Sequence, residues 1–583
     1  MNSPLKTRPE AEPVLDAAGF RRFDRMYHAL MGKAEGGLSP VSLWLAWADW
    51  AAHLAMSPGK QAELSYNAMA RAQQLAAEVQ CQLRGGRADG LDCVTPLKAD
   101  RRFAGEDWKK FPFSLYAQSF LAAEAWWKEA TTGISGVETA HEKLVAFYGR
   151  QFLDMMAPTN FLATNPDLIA RTREEGGRNL IRGAHYLAED MRALAQGADE
   201  EAQFRPGETV ALTEGRVVFR NRLIELIQYA PVTETVQATP LLIVPAWIMK
   251  YYILDLTPPE SLIAWALEQG FTVFCVSWKN PDEDDRDLGF DDYRELGVMA
   301  AINAIGQITG APKVHGLGYC LGGTLLSVAA AAMARDGDDR LASMTMLAAQ
   351  VDFTEAGELS LFTNEDQLAL IEDMMWQEGF LDKTAMAGTF SMLKSKDLIW
   401  SKMVHDYMLG EREQGSALGD WSHDATRMPY KMHSEYLRHL FLSNDLAEGR
   451  MEAGGGHVML RDIRCPVFAV ATERDHIAPW QSVFKLTWLL GSEVTFALIA
   501  GGHNSGIVSP PGNPRAKYRL LTHVHGAPHP GPEEWAQTVA PVAGSWWEPW
   551  GAWLAAKGTG EKIAPPAMGP DLGAAPGRYV FGR

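Results

Sequence analysis

Residues 314–332, VHGLGYCLGGTLLSVAAAA, have the pattern of a short apolar strand, a tight glycine-rich turn and a helix. Within them, the run GYCLG at 318–322 matches the nucleophile elbow G-x-S-x-G, with cysteine in place of serine. The strained turn requires small neighbours, and the N-terminal dipole of the following helix favours a thiolate. This stretch predicts an α/β-hydrolase fold with Cys320 as nucleophile. An inert buried thiol is the alternative, because so short a pattern also occurs by chance.

The chain around this elbow alternates between strand and helix patterns from about residue 206 to residue 583. Short apolar runs are separated by helical segments such as residues 290–310, which is typical of a mostly parallel sheet covered by helices. The predicted strands lie in VALTEGRVVFR, LIELIQYA, PLLIVPAW, FTVFCVSW, KVHGLGYC, ASMTMLAAQVDF, CPVFAVATERD and EVTFALIAGGH. We therefore expect residues 206–583 to form the α/β-hydrolase catalytic domain.

Three further segments complete the predicted organisation. Residues 1–205 are rich in Ala, Leu, Glu, Arg and Trp at helical spacing and predict a helical N-terminal domain. Residues 354–463 separate two predicted strands and are rich in helix formers, so we expect a cap (lid) over the active site. The tail from about residue 515 begins aromatic and ends rich in Gly and Pro, which predicts packing followed by fraying.

Composition excludes several classes of protein. The formal net charge of -18 argues against a nucleic-acid partner, because phosphates select basic surfaces. The longest apolar runs are shorter than the roughly 20 residues that span a bilayer, so we expect no transmembrane segment. The charged N-terminus lacks the apolar stretch of a secretory signal, which indicates a cytoplasmic protein. The five cysteines contain no CxxC pair and predict neither a metal site nor a disulfide framework.

Chain order supports Cys320. An α/β-hydrolase needs nucleophile, acid and histidine in that order, with the last two after late strands. Asp475 follows the run PVFAVATER, and His503 follows VTFALIAGG, so both are placed as catalytic residues. The oxyanion hole is expected from the backbone N–H of Leu321 and from the loop that contains Ala246 and Trp247.

The sulfur at position 320 indicates the substrate class. A thiolate that attacks a thioester exchanges one acyl–sulfur bond for another, so the acyl-enzyme forms with little change in free energy. Attack on an oxygen ester or an amide would be uphill, and a serine would discard the activation of the donor. The residues therefore favour acyl transfer from a donor like acyl-CoA.

Several long motifs resemble those of class I polyhydroxyalkanoate synthases, between about residues 100 and 515. The order of the motifs is that of the family. They are DRRFAGEDW at 100–108, APTNFLATNPD at 157–167, VALTEGRVVFRN at 210–221, KYYILDL at 250–256, FTVFCVSWKNPD at 271–282, GLGYCLGGTLL at 316–326 and DHIAPW at 475–480.

The resemblance implies polymerisation of (R)-3-hydroxyacyl-CoA, usually 3-hydroxybutyryl-CoA, into a storage polyester. It implies that Cys320 carries the growing chain, that Asp475 and His503 complete the triad, and that the active form is a homodimer at the surface of polyester granules. No cofactor is implied, since coenzyme A is the leaving group. From their positions in family motifs, Lys394 and His476 are expected to hold the CoA portion of the substrate.

The sequence also departs from the family pattern. The usual VPPxINKYY reads VPAWIMKYY, Lys394 stands where an arginine is usual, and Asn504 with Ser505 replaces Ile-Ala. Two alternatives therefore stay open. One is a thioesterase or other acyltransferase on the same scaffold, since the triad would hydrolyse an acyl-cysteine that water reached. The other is a granule-associated binding protein whose working parts are the Trp-rich N-terminal region and the tail.

Overall fold

The computed structural model describes residues 17–34, 37–83, 100–196, 203–382, 392, 395–412 and 415–582. Its N-terminal part is helical, as the composition predicted. The seven helices are α1 (Ala17–Ala34), α2 (Pro40–Ala55), α3 (Pro58–Leu83), α4 (Phe113–Thr131), α5 (Thr139–Met155), α6 (Pro166–Glu174) and α7 (Arg178–Gln196). Apolar spacing on these helices, together with caps such as Asn165 before α6, explains why they form.

A ten-stranded mixed sheet follows and forms the centre of the molecule. Its strands, in chain order, are β1 (Gly215–Arg220), β2 (Ile224–Tyr229), β4 (Leu241–Val244), β5 (Val273–Trp278), β6 (Val314–Tyr319), β7 (Leu341–Leu347), β12 (Val467–Thr472), β13 (Val494–Ile499), β14 (Lys517–His523) and β15 (Val542–Ala543). The spatial order is β1-β2-β5-β4-β6-β7-β12-β13-β14-β15. The inner strands from β5 to β13 are parallel, and both faces are covered, so almost all of their residues are buried and mostly apolar instead of alternating.

Helices cover both faces of this sheet. They are α8 (Leu262–Glu268), α9 (Phe290–Tyr293), α10 (Ala300–Thr309) and α11 (Leu321–Arg335), followed late in the chain by α15 (Trp480–Phe484), α16 (Leu486–Leu489), α17 (Pro532–Thr538) and α18 (Trp547–Lys557). A π-helical turn at Arg294–Met299 joins α9 to α10, so residues 290–309 are helical throughout, as predicted. Helix α11 is buried from Leu321 to Met333 and lies directly behind the elbow.

The long insertion between β7 and β12 consists of short elements. It contains helices α12 (Glu365–Glu378), α13 (Ala417–His423) and α14 (Tyr430–Tyr436) and π-helical segments at Lys396–Ser401, Met403–Leu409 and Leu437–Leu442. Two-residue strands complete it: β8 (Phe380–Leu381), β9 (Met428–Pro429), β10 (Glu452–Ala453) and β11 (Gly456–His457).

The N-terminal helices contact this insertion through polar side chains. Asp373 on α12 accepts a hydrogen bond from His28 on α1 at 2.8 Å and lies 3.4 Å from the Arg25 guanidinium. At the other end, Asn179 on α7 donates to the carbonyl of Met408 at 2.8 Å. The cap predicted over the sheet is therefore attached to the first 200 residues as well as to the catalytic domain.

The tail does not fray, so that prediction is wrong. Trp547 and Trp550 of α18 are buried, and the Trp550 indole donates to the Thr345 hydroxyl at 3.0 Å. Strand β16 (Lys562–Ile563) pairs with β3 (Val236–Gln237). Residues 572–575 then hydrogen-bond along β1, for example from Val217 N–H to the Gly573 carbonyl at 2.8 Å. The backbone N–H and C=O groups of the edge strand β1 form hydrogen bonds with the backbone of the Gly/Pro-rich segment, and these bonds order it.

Candidate active site

The turn at Cys320 is so tight that positions 318 and 322 have no room for a side chain. Cys320 has φ 52° and ψ -123°, a left-handed conformation that a side chain rarely adopts, and it lies between β6 and α11. A Cβ added to Gly322 would lie 2.1 Å from the Val244 carbonyl oxygen, and one added to Gly318 would lie 2.3 Å from the Cα of Gly323. The Cys320 N–H donates to the Leu347 carbonyl at 2.8 Å. Sheet and helix together therefore hold the cysteine at the carboxyl end of the central strand.

The three side chains selected from chain order meet at this point. Nε2 of His503 lies 3.2 Å from Sγ of Cys320, and Nδ1 of the same ring lies 2.7 Å from Oδ2 of Asp475. Asp475 follows β12 and His503 follows β13, the strands next in line from β7. The side chains of Asp475 and His503 are 0% and 6% exposed. This geometry can move a proton from the thiol to the imidazole while the carboxylate orients the ring.

The charges of the three groups support one another. Burial raises the pKa of the Asp475 carboxyl, but the charge and hydrogen bond of His503 outweigh burial and leave this pKa below its usual range. Burial would lower the pKa of His503, but the negative charges of Cys320 and Asp475 raise it to about 10. Both neighbours therefore favour the protonated imidazole, which is the form that His503 takes after it accepts the thiol proton.

Asp475 has further partners that the sequence search missed. Its Oδ1 accepts the backbone N–H groups of Ile477 and Ala478, each at 2.9 Å, and its Oδ2 accepts the Thr472 hydroxyl at 3.1 Å. Backbone donors leave no side-chain signal, whereas Thr472, as the last residue of its strand, could have been considered. These bonds stabilise the carboxylate and fix its orientation.

Backbone N–H groups for which the described part of the chain supplies no acceptor lie beside the elbow. Within the described residues, none pairs with the N–H of Leu321, Ala246 or Trp247, which are 8%, 2% and 1% exposed. Leu321 is the first residue of α11, where an N–H has no intrahelical acceptor. Unpaired N–H groups are rare in buried positions, so three of them in adjoining segments match the donors that an oxyanion requires.

The altered loop residue Trp247 forms part of an aromatic cluster. Its ring makes edge contacts with Phe290, Tyr293 and Tyr436 at centroid distances of 5.7 to 6.0 Å. The Trp278 indole donates to the Pro245 carbonyl at 2.9 Å and orients that peptide. These contacts make the wall of the site apolar and attach the cap residue Tyr436 to it.

The structure also gives a contact for Asn504, the residue beside His503 that departs from the family pattern. The Tyr319 hydroxyl donates to Oδ1 of Asn504 at 2.6 Å, and the Tyr319 ring lies 5.9 Å from the ring of His503. Asn504, which departs from the family pattern, thus connects the loop of His503 to the elbow itself. Its partner Tyr319 lies next to Cys320 and is buried.

Of the two residues expected to hold CoA, the structure describes His476 alone. Lys394 lies outside the described residues. His476 follows Asp475 and is half-buried, and its carbonyl accepts the Glu358 N–H at 3.3 Å, so this turn contacts the start of the cap. In the described part of the chain, no cluster of three or more His, Cys, Asp or Glu side chains could hold a metal ion. Among the same residues, a candidate membrane-spanning helix is not found.

The other described thiols differ from Cys320. Burial raises the pKa of Cys275 well above its usual value and that of Cys465 to about 12. Neither has a histidine partner, whereas Cys320 does. Cys93 lies outside the described residues. Unlike Cys275 and Cys465, Cys320 therefore has the neighbouring base that a nucleophilic thiol requires.

Comparison with known families agrees with this architecture. Residues 99–266 match the model "Poly-beta-hydroxybutyrate polymerase (PhaC) N-terminus" and residues 18–60 match "Poly-beta-hydroxybutyrate polymerase N terminal". Residues 239–510 match "alpha/beta hydrolase fold", which confirms the predicted fold class. Among solved structures, a monoacylglycerol lipase from Paleococcus ferrophilus covers 46% of this chain and 91% of its own, with 14% identity and a TM-score of 0.29, too slight a likeness to add to the fold assignment.

Curated relatives match most of the chain. A poly(3-hydroxyalkanoate) polymerase of Methylorubrum extorquens is 45% identical over 502 residues, 84% of this chain and 81% of the relative. The poly(3-hydroxyalkanoate) polymerase subunit PhaC of Rhizobium meliloti is 40% identical, covering 82% and 79%. That of Cupriavidus necator is 36% identical, covering 85% of both chains. Identity at this level over most of both chains shows that the protein belongs to the poly(3-hydroxyalkanoate) polymerase family.

Proposed function

We propose that this protein polymerises (R)-3-hydroxyacyl-CoA, with 3-hydroxybutyryl-CoA as the first substrate to test, into a polyester with release of CoA. The observation that supports this most directly is the 3.2 Å contact between Nε2 of His503 and a cysteine sulfur on the elbow. A thiolate there exchanges thioesters at little cost, and the family is that of polyester polymerases.

The reaction has two steps that share one base. The Cys320 thiolate, whose proton is on His503, attacks the thioester carbonyl, and the N–H groups of Leu321 and of Ala246 or Trp247 stabilise the oxyanion. The bond from the acyl carbon to the CoA sulfur then breaks, and CoA leaves as a thiol with the proton that His503 donates to it. The 3-hydroxyl of a further unit then attacks the acyl-cysteine, its proton passes to His503, an ester forms and the Cys320 thiolate is released. Asp475 stabilises the imidazolium in both steps.

The test is incubation with (R)-3-hydroxybutyryl-CoA, with CoA, insoluble polymer and free 3-hydroxybutyrate measured together. Polymer with equimolar CoA supports the proposal. Free acid with CoA would instead indicate a thioesterase, and absence of CoA release a binding protein. Cys320→Ala should release no CoA, while the matched thiol variant Cys465→Ala should keep wild-type release because Cys465 has no histidine partner.

We also propose which residues bind the CoA portion of the substrate and in which assembly the protein is active. Lys394 and His476 would contact phosphate or pantetheine groups, so Lys394→Ala should raise KM several-fold with little change in kcat. The active form would be a cytoplasmic homodimer at the polyester granule. Exposed apolar side chains on α1 and α2 support a granule contact, among them Phe20, Phe23, Leu30 and Trp44.

A further inference from the structure

The loop between β4 and the turn at Tyr251–Leu254 is held from the cap side. The Thr426 N–H donates to the Ile248 carbonyl at 2.9 Å, and the Thr426 hydroxyl donates to the Trp247 carbonyl. The Trp421 indole donates to the Lys250 carbonyl at 2.8 Å. These bonds hold the carbonyls of Trp247, Ile248 and Lys250, while the N–H groups of Ala246 and Trp247 have no acceptor among the described residues.

The same loop is held from the opposite side by the end of the chain. The Lys250 side chain lies in a residue only 3% exposed and donates to the carbonyls of Gly582 at 2.7 Å and Tyr579 at 3.3 Å. An ammonium group is costly to bury unless its hydrogen bonds are replaced. The C-terminal carbonyls supply that replacement, so the position of Lys250 depends on residues more than 300 positions away in the sequence.

The C-terminal carbonyls are themselves fixed to the sheet. Glu225 on β2 is fully buried, and its Oε2 accepts the N–H groups of Arg578 and Tyr579, each at 2.9 Å. The Tyr579 hydroxyl donates to the Asn221 carbonyl at 2.7 Å, and Val580 is buried. The tail end is therefore a rigid anchor that connects the sheet to Lys250.

We propose that Lys250 and residues 578–582 form a positioning device that keeps the Ala246 and Trp247 N–H groups aimed at the acyl oxygen above Cys320. The inference rests on the proposed function, because it serves acylation of Cys320. Preorganised donors stabilise an oxyanion far better than donors that must be ordered during the reaction. Lys250 thus acts through the loop and does not touch the substrate.

The test compares Lys250→Met with Lys562→Met, a matched variant of an exposed lysine in the same tail. Lys250→Met should slow single-turnover acylation of Cys320 by about 100-fold, the effect of losing one oxyanion donor, with KM little changed. Alkylation of Cys320 by iodoacetamide should keep its wild-type rate, because displacement at a saturated carbon forms no oxyanion. Lys562→Met should match the wild type in both reactions.

Deletion of residues 578–583 provides a second variant. It should lower acylation as Lys250→Met does, and the double variant should be no slower than either, because both changes remove one device. If the deletion prevents folding, Lys250→Met alone decides. Wild-type acylation by Lys250→Met, or alkylation slowed in parallel with acylation, would overturn the inference. If the wild-type protein itself released no CoA, the proposed function would be wrong instead.

Discussion

Replacing Asp475 by asparagine tests the order of the hydrogen bonds behind Cys320. The new side chain has the same size, and its oxygen can still accept the N–H groups of Ile477 and Ala478. Its amide NH₂ then faces Nδ1 of His503 at 2.7 Å, where the carboxylate accepted a proton. Two donors cannot share that contact, so the imidazole must carry its proton on Nε2, 3.2 Å from Sγ of Cys320. In that tautomer Nε2 has no lone pair for the thiol proton.

The expected loss is large because the Asp475 side chain is 0% exposed, so water does not replace the carboxylate contact with His503. A wrong tautomer of this kind lowers kcat by about 10⁴-fold, or about 5.5 kcal/mol of transition-state stabilisation. Elongation should fall further than the first acylation, since a hydroxyl is a weaker acid than a thiol.

The assay is rapid-quench acylation by (R)-3-hydroxybutyryl-CoA, followed by steady-state CoA release and polymer mass. Asp336→Asn, which changes an exposed carboxylate paired with Arg335, is the matched control and should leave both rates unchanged. Retention of kcat within tenfold of the wild type in Asp475→Asn would refute the tautomer argument. Equal losses in acylation and elongation would refute the separate role in elongation.

Three further predictions concern charge, space and motion. His503 has a pKa raised from 6.5 to about 10, so its contribution to stability is complete below pH 6.5 and is lost as the pH rises toward 10. The difference in unfolding free energy between the wild type and His503→Gln should therefore shrink over that pH range. A difference that stays constant from pH 6 to 10 would contradict the charge assignment. Gly322→Ala places a Cβ 2.1 Å from the Val244 carbonyl oxygen and should sharply lower Tm and soluble yield. The control Gly306→Ala, whose Cβ would meet nothing closer than 3.9 Å, should leave Tm unchanged or raise it slightly. Equal Tm values for the two variants would show that the elbow can relax. Hydrogen exchange should be faster in the cap helix α12 than in β6 and should slow when a non-hydrolysable acyl-CoA analogue binds. Asp373→Asn weakens the contacts of α12 with His28 and Arg25 and should speed hydrogen exchange in α12. The control Asp366→Asn should not change that exchange rate. Uniform protection of the cap that the analogue does not change would show that the cap is a rigid wall.

The cap observations change how access to Cys320 is understood. The insertion was expected to move as a lid, and it is joined to the N-terminal helices through Asp373 and Met408. Motion of the cap therefore requires either breaking these contacts or moving the N-terminal helices with it. Variants of α1 that touch neither substrate nor triad are expected to alter access to the site.

The sequence by itself located eight of the ten strands of the sheet, missing β14 and β15, and selected three side chains that the structure brings together. Each inner strand is a short apolar run, because both faces are buried, and the run ends where a polar loop begins. Cys320, Asp475 and His503 each follow such a run in the order that the fold needs, so local pattern and chain order were sufficient to select them. The glycines around Cys320 were also readable, since the strained turn excludes side chains at those positions.

Only the tertiary structure decided the remainder. The unpaired N–H groups of Ala246 and Trp247 are backbone atoms without a side-chain signal, and Lys250 finds its acceptors at residues 579 and 582. The tail was expected to fray because its Gly and Pro content has no intrinsic order, yet it is held by edge-strand groups of β1 and by Glu225. Local composition describes the preferences of a segment, whereas hydrogen bonds to distant partners depend on where the whole chain places their donors and acceptors.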